Sequence, residues 1–178
     1  MKFNVILTTD AEGGISRYNR LPWYFPEDAA FFEEHTLNNV CIMGRKTAIN
    51  LKEPLKDRDN IVITQEPIPA FECVTSFQEA LEKAAAKAKP VMGKQIFIIG
   101  GSRLFNEALQ SPYLDKIYYL HISKSFNCDN FVTQPIVGCR DKTTILDTKN
   151  VTSVDTIHAI NKVGNVTLTF YLIHHNKL

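Results

Sequence analysis

Apolar residues fall into short runs separated, over the first two thirds of the chain, by segments in which apolar positions recur every three or four residues. The runs Phe3–Thr9, Val40–Met43, Asn60–Thr64, Glu72–Val74 and Gln95–Ile99 predict strands, because they are brief and rich in β-branched and aromatic residues. The intervening segments Glu27–Leu37, Lys46–Leu51, Phe77–Lys87 and Arg103–Leu109 predict helices. Ser76 followed by Glu79 is a capping-box pattern, and the alanine-rich run to Lys87 supports a helix behind it. Strand–helix alternation implies parallel strands joined by crossovers, hence an α/β sheet. The last third differs. Lys116–Ser125, Val154–Ile160 and Val166–His174 are β-type segments with no helical pattern between them. Lys162-Val163-Gly164-Asn165 supplies turn chemistry, so a C-terminal antiparallel hairpin is expected to close a mixed, mostly parallel sheet flanked by helices.

The helix after the first strand carries the strongest chemical lead. Pro26 suits its first position, and Glu27 and Asp28 suit the positive end of its dipole. Asp28 lies one turn before Phe31 and Phe32, with Trp23 just upstream, whereas Glu27 points about 100° away toward solvent. A carboxylate walled by aromatic rings is expected to have a raised pKa, because burial outweighs the pull of the dipole.

Glycine marks three junctions. Gly13-Gly14 forms a polar loop after the first strand, read either as a connection or as a cover for a ligand. Ile98-Ile99-Gly100-Gly101-Ser102-Arg103 runs from a strand through a glycine pair into a helix, where backbone N–H groups can hold a phosphate. It lacks the G-x-G-x-x-G spacing of a Rossmann site. Met43-Gly44-Arg45-Lys46-Thr47 repeats the strand–glycine–helix arrangement with two cations. Thr64 and Arg103, each just past a strand end, complete a basic and hydroxyl-bearing sheet edge suited to a nucleotide.

Composition narrows the setting. A chain of 178 residues can bury a core as one domain, spanning 1–178. A net charge of +1 gives no reason to expect nucleic acid or a membrane surface as partner, and the N-terminal apolar run is too short for a span or secretory signal. Cys41, Cys73, Cys128 and Cys139 lack C-x-x-C spacing and read as free thiols of a reducing cytoplasm. The histidines show no ligand-like spacing, so no metal is expected. A monomer is the default expectation.

Taken in order, Leu21-Pro22-Trp23 with Asp28 and Phe31-Phe32, then Ile42 to Thr47, then Ile98 to Ser102 resemble the three main motifs of the dihydrofolate reductases. Leu55 with Arg58-Asp59-Asn60, Ile117-Tyr118-Tyr119 and Cys128-Asp129 extend the likeness over nearly the whole chain. The resemblance implies that family's fold and NADPH-dependent reduction of 7,8-dihydrofolate to tetrahydrofolate, in support of one-carbon metabolism, with antifolate-type molecules as further ligands. It implies that Asp28 holds the pterin, with Leu21 and Trp23 on a mobile loop beside the nicotinamide. Ile6, Leu7, Phe32, Leu51 and Ile99 would line the folate pocket, and Arg58 would meet the glutamate tail. Arg45, Thr64 and Arg103 would surround the 2′-phosphate. Thr8, Ile15, Gly44, Lys46, Thr47, Gly100, Gly101, Ser102, Leu104 and Phe105 would form the rest of the cofactor site.

The chain also departs from the family pattern. Leu120 replaces a usual threonine whose hydroxyl orients the acid, so that bond is expected to be missing. Thr8 replaces an alanine beside the carboxamide, Phe105 a tyrosine near the nicotinamide, and Ser16 a glycine; Asn130-Phe131-Val132 also differs. One alternative is a folate- or nucleotide-binding protein with lost turnover, motivated by Leu120 and Phe105. Another is a pyrimidine-type reductase of the riboflavin pathway, which would need neither Asp28 nor Arg58. The sequence leaves open a fusion to thymidylate synthase.

Overall fold

The computed structural model describes residues 1–138, 141–154 and 162–175. Its organising element is β1 (Phe3–Thr9), which pairs in parallel with β6 (Ile96–Ile98) on one side and β7 (Leu114–Ile122) on the other. Because alternate residues of a strand face opposite ways, β1 feeds two cores. Phe3, Val5 and Leu7 pack with Ala80, Leu81 and Ala84 of α3 (Phe77–Ala88) and Leu104, Phe105 and Ala108 of α4 (Ser102–Leu109). Ile6 belongs to the other cluster, with Trp23, Phe31, Leu120 and Phe170.

β3 (Val40–Gly44), β4 (Asp59–Ile63) and β5 (Glu72–Val74) extend the sheet in parallel beyond β6. On the far side β10 (Lys162–His174) runs antiparallel to both β7 and β9 (Lys142–Val154). The eight strands lie in the order β5-β4-β3-β6-β1-β7-β10-β9. A mixed, mostly parallel sheet closed by a C-terminal hairpin is therefore what the chain forms. The remaining helices are α1 (Pro26–Thr36) and α2 (Arg45–Leu51), and a small separate pair joins β2 (Gly14–Ser16) to β8 (Asn130–Phe131). The expected cap of α3 is present: Ser76 accepts from the Glu79 N–H at 3.1 Å, and the Glu79 carboxylate accepts from the Thr75 N–H at 2.9 Å.

Two expectations need correction. Residues 162–165 are strand, not turn, so β10 starts earlier than its apolar alternation begins. β9 was not foreseen, because it forms the exposed edge of the sheet and is built largely of Thr, Lys, Asn and Asp. The expected strand Val154–Ile160 lies, apart from Val154, outside the described residues, as does Cys139.

Asp10 ties the fold to its loops. It is fully buried just after β1, and its Oδ1 accepts the N–H groups of Glu12 and Gly14 at 3.0 and 2.8 Å. Its Oδ2 accepts the Phe126 N–H at 3.0 Å, so one side chain pins the loop before α1 to the loop after β7. Gly14 is obligatory in this knot, since a Cβ there would lie 2.4 Å from that of Cys128. Asp10→Ala strands three N–H groups, those of Gly14 and Phe126 buried, and is expected to lower the unfolding free energy by about 2–4 kcal/mol, measured by urea denaturation.

Candidate active site

The loop pinned by Asp10 delivers Trp23 and Phe25 into the core, where both meet the Phe126 ring edge-on, at 5.5 and 6.3 Å. The chain then enters α1, with Pro26 in the first turn and the Asp28 N–H bonded to the Phe25 carbonyl at 3.0 Å. This entry aims Asp28 at the face of β1 that carries Ile6 and Thr8. Thr8 Oγ1 donates to Asp28 Oδ1 at 2.7 Å, and Trp23 Nε1 donates to Asp28 Oδ2 at 3.2 Å. Each carboxylate oxygen thus has a donor. Burial among the surrounding side chains raises the Asp28 pKa above its ordinary value, and the Thr8 and Trp23 bonds oppose that rise.

The hydroxyl at the acid was expected to be missing because of Leu120. Leu120 does present only an apolar, fully buried side chain, but the hydroxyl comes from Thr8 on the neighbouring strand. Thr8 is partly exposed and bonded to the acid, whereas Leu7 and Ile15 lie in the opposite cluster with Leu104 and Phe105. The Leu7 side chain therefore faces away from Asp28. Phe32 packs beside the acid's cluster, Leu51 beside Cys41, Met43, Ala48 and Val62, and Ile99 touches both groups. Glu27 is half-buried instead of solvent-facing.

The two strand–glycine–helix junctions meet because β3 and β6 are adjacent. The Gly44 N–H donates to the Gly100 carbonyl at 2.8 Å. A Cβ at Gly100, whose φ is +117°, would meet the Phe105 ring at 3.1 Å and Thr47 Oγ1 at 3.7 Å. Only glycine leaves backbone exposed at this crossing. Further along the sheet edge, Arg45 Nη1 donates to Thr64 Oγ1 at 3.1 Å and to the Glu66 carbonyl at 2.8 Å, so Arg45 and Thr64 form one cluster. Lys46 and Arg103 are exposed, Ser102 starts α4 half-buried, and Leu21 is 56% exposed on the loop.

Arg58 donates through Nη1 to Thr36 Oγ1 at 3.2 Å and through Nε to the Lys56 carbonyl at 2.8 Å, which fixes its guanidinium beside the end of α1. Three contributors escaped the sequence reading. Thr36 is the buried hydroxyl beneath Arg58, and Glu66 places a carboxylate 3.5 Å from Arg45 Nη2. The Asn50 amide of α2 donates to the Asn19 carbonyl, joining the loop to the opposite wall. None of the three has a local signal in the sequence, whereas the place of Thr8 at the acid had one, since period two puts it on the face of Ile6. Burial pushes the Cys41 thiol up to about 12, so it stays protonated and is no nucleophile. No helix among the described residues is long and apolar enough to cross a membrane.

A mostly parallel sheet whose strand ends carry glycine crossings and a cation, beside a desolvated acid, defines an α/β protein with candidate ligand-binding chemistry at the carboxyl ends of its strands. The profile described as dihydrofolate reductase matches residues 2–161. The dihydrofolate reductase of Aedes albopictus is 34% identical over 145 residues, covering 73% of this chain and 78% of the relative. The bifunctional dihydrofolate reductase-thymidylate synthase of Glycine max is 33% identical over 148 residues, which cover 73% of this chain and 28% of that protein. A solved dihydrofolate reductase from Enterococcus faecalis, complexed with NADP(H) and RAB-propyl, superposes with a TM-score of 0.74 at 24% identity, covering 99% of this chain and 97% of that one. This chain belongs to the dihydrofolate reductase family. It is thereby an NADPH-dependent oxidoreductase acting on dihydrofolate.

The raised Asp28 pKa has a consequence for stability. An acid whose pKa rises on folding favours the folded state while protonated and loses that advantage as pH climbs through the raised value. Asp28→Asn removes the charge while its amide group can still accept from Trp23 and donate to Thr8. The variant is expected to melt at a higher temperature than the parent at neutral pH. The gap should close below the ordinary carboxylate value of 3.8, and thermal melts across that range measure it.

Proposed function

We propose that Asp28 is the acid that binds the pterin ring of 7,8-dihydrofolate and promotes its reduction. The observation that carries this reading is a desolvated carboxylate on α1, held on both oxygens by Thr8 of β1 and by Trp23. A carboxylate accepts two parallel N–H bonds, which matches the amidine edge of a pterin. Its negative charge favours the protonated form of the ring's imine. The proton itself comes from water, since a carboxylate holding the far edge of the ring cannot reach the reacting nitrogen.

The glycine crossing and the Arg45–Thr64 cluster fit NADPH. Where Gly44 crosses Gly100 and Gly101 the missing side chains would let a pyrophosphate approach the backbone closely, with Thr47 and Ser102 beside it. Arg45 and Thr64 suit a 2′-phosphate, with the exposed Lys46 and Arg103 adding positive charge. Bound there, NADPH supplies the hydride. Ile6, Phe32, Leu51 and Ile99 would exclude water from the pterin and its linker, and Trp23 would close the pocket from the loop side. Arg58, prearranged by Thr36 and Lys56, would take the glutamate tail as a bidentate partner. Residues 1–178 would act as a single domain in the cytoplasm and as a monomer, and light scattering in solution tests the last of these.

Steady-state NADPH oxidation with dihydrofolate, together with an antifolate titration, tests the assignment. Asp28→Asn is expected to lose most activity near neutral pH and regain part of it in acid, where substrate arrives protonated. An unchanged pH–rate profile in that variant would refute the role given to Asp28. Arg58→Leu is expected to raise KM for dihydrofolate about tenfold or more with little change in kcat, as loss of a charge-assisted pair would produce.

A further inference from the structure

We propose that Thr8 is the positioning residue of Asp28, its hydroxyl taking from β1 the task that a threonine at position 120 would perform from β7. The inference rests on the assignment of Asp28 as the pterin acid. Its basis is the register of the sheet. Thr8 pairs with Leu120 across the parallel β1–β7 ladder, so the two side chains stand on the same face as neighbours. Neighbouring strands lie about 4.8 Å apart, a distance that a change of side-chain rotamer largely absorbs. A hydroxyl from either position can therefore reach one carboxylate lying above both. Thr8 does so at 2.7 Å, while Leu120, fully buried, contributes only apolar packing alongside Ile122, Leu168 and Phe170.

The bond does more than fill space. Thr8 and Trp23 approach different oxygens of Asp28, so together they fix the carboxylate plane and leave its remaining lone pairs for the ligand. A hydroxyl is the right choice for this position. It donates to an ionised Asp28 and can turn to accept from a protonated one, whereas the Trp23 indole can only donate. The surrounding titratable groups do not supply this control. On the same side stand Tyr118 of β7, packed against His35 and Phe97, with His35 and Glu27 belonging to α1. None of them is bonded to Asp28 or numbers among the influences on its ionisation, which are burial, Thr8 and Trp23.

The chain offers its own reporter. Trp23 is the single tryptophan and is bonded to Asp28, so its fluorescence should follow the acid's ionisation in the ligand-free protein. In Thr8→Val, which keeps the shape and removes the donor, the fluorescence midpoint is expected to move up by about one pH unit. Thr8→Ser should titrate like the parent. In Thr8→Ala the midpoint should rise, and adding Leu120→Thr to that variant should bring it back. Turnover should track the same order, with kcat/KM for dihydrofolate in Thr8→Val falling about tenfold. The inference is overturned by a parental midpoint in Thr8→Val, by Thr8→Ser shifting as far as Thr8→Val, or by a transition that persists in Asp28→Asn. Absence of dihydrofolate turnover in the parent chain would instead refute the assigned reaction, and the fluorescence midpoints would still decide the role of Thr8.

Discussion

A carboxylate withdrawn from water either finds donors or takes up a proton, and Asp28 is subject to both influences at once. Burial drives its pKa upward, and only two hydrogen bonds, from Thr8 and Trp23, pull the other way. Those donors come from separate parts of the fold. Thr8 is fixed by the β1 ladder, whereas Trp23 depends on a loop that is held in turn by Asp10. The acid is thus a meeting point of a rigid element and an adjustable one. Such an arrangement suits a site that must be dry when loaded and open when exchanging its ligand.

The same strand order that seats the acid also builds the cofactor side. β6 lies between β3 and β1, so Gly44 at the end of β3 and Gly100 after β6 come within hydrogen-bonding distance. Neither glycine junction alone forms an anion cradle. Their adjacency, fixed by crossovers that return each strand parallel to the last, brings two helix starts to one edge. Acid and glycine crossing then flank the carboxyl end of β1, which is where a hydride donor and its acceptor would need to face each other.

Much of this was legible in the sequence because periodicity and punctuation agreed. The parallel strands, the four helices among the described residues and the α3 cap follow from apolar runs, glycine breaks and the Ser76–Glu79 spacing. What escaped notice obeys different physics. β9 has a polar composition that a solvent-exposed edge permits, so hydrophobic patterning is silent there. β2 and β8 are too short to show a period and exist because Asp10 and Gly14 bring their loops together. Thr36 under Arg58 and Glu66 beside Arg45 are tertiary neighbours that no local spacing encodes.

Leu120 shows where reading one position at a time fails. Judged alone, the loss of a threonine from β7 removes a bond from the acid. Sheet geometry makes Thr8 and Leu120 two sides of one rung, however, and a hydroxyl is interchangeable between them so long as the carboxylate sits above both. What has to be preserved is one donor and one apolar filler on that rung, not the identity of either position. Placing both hydroxyls there would set two donors against one oxygen, and placing none would leave burial opposed by Trp23 alone. The pair Thr8–Leu120 satisfies the requirement with the roles exchanged, so the replacement at position 120 gives no reason to expect a disabled acid.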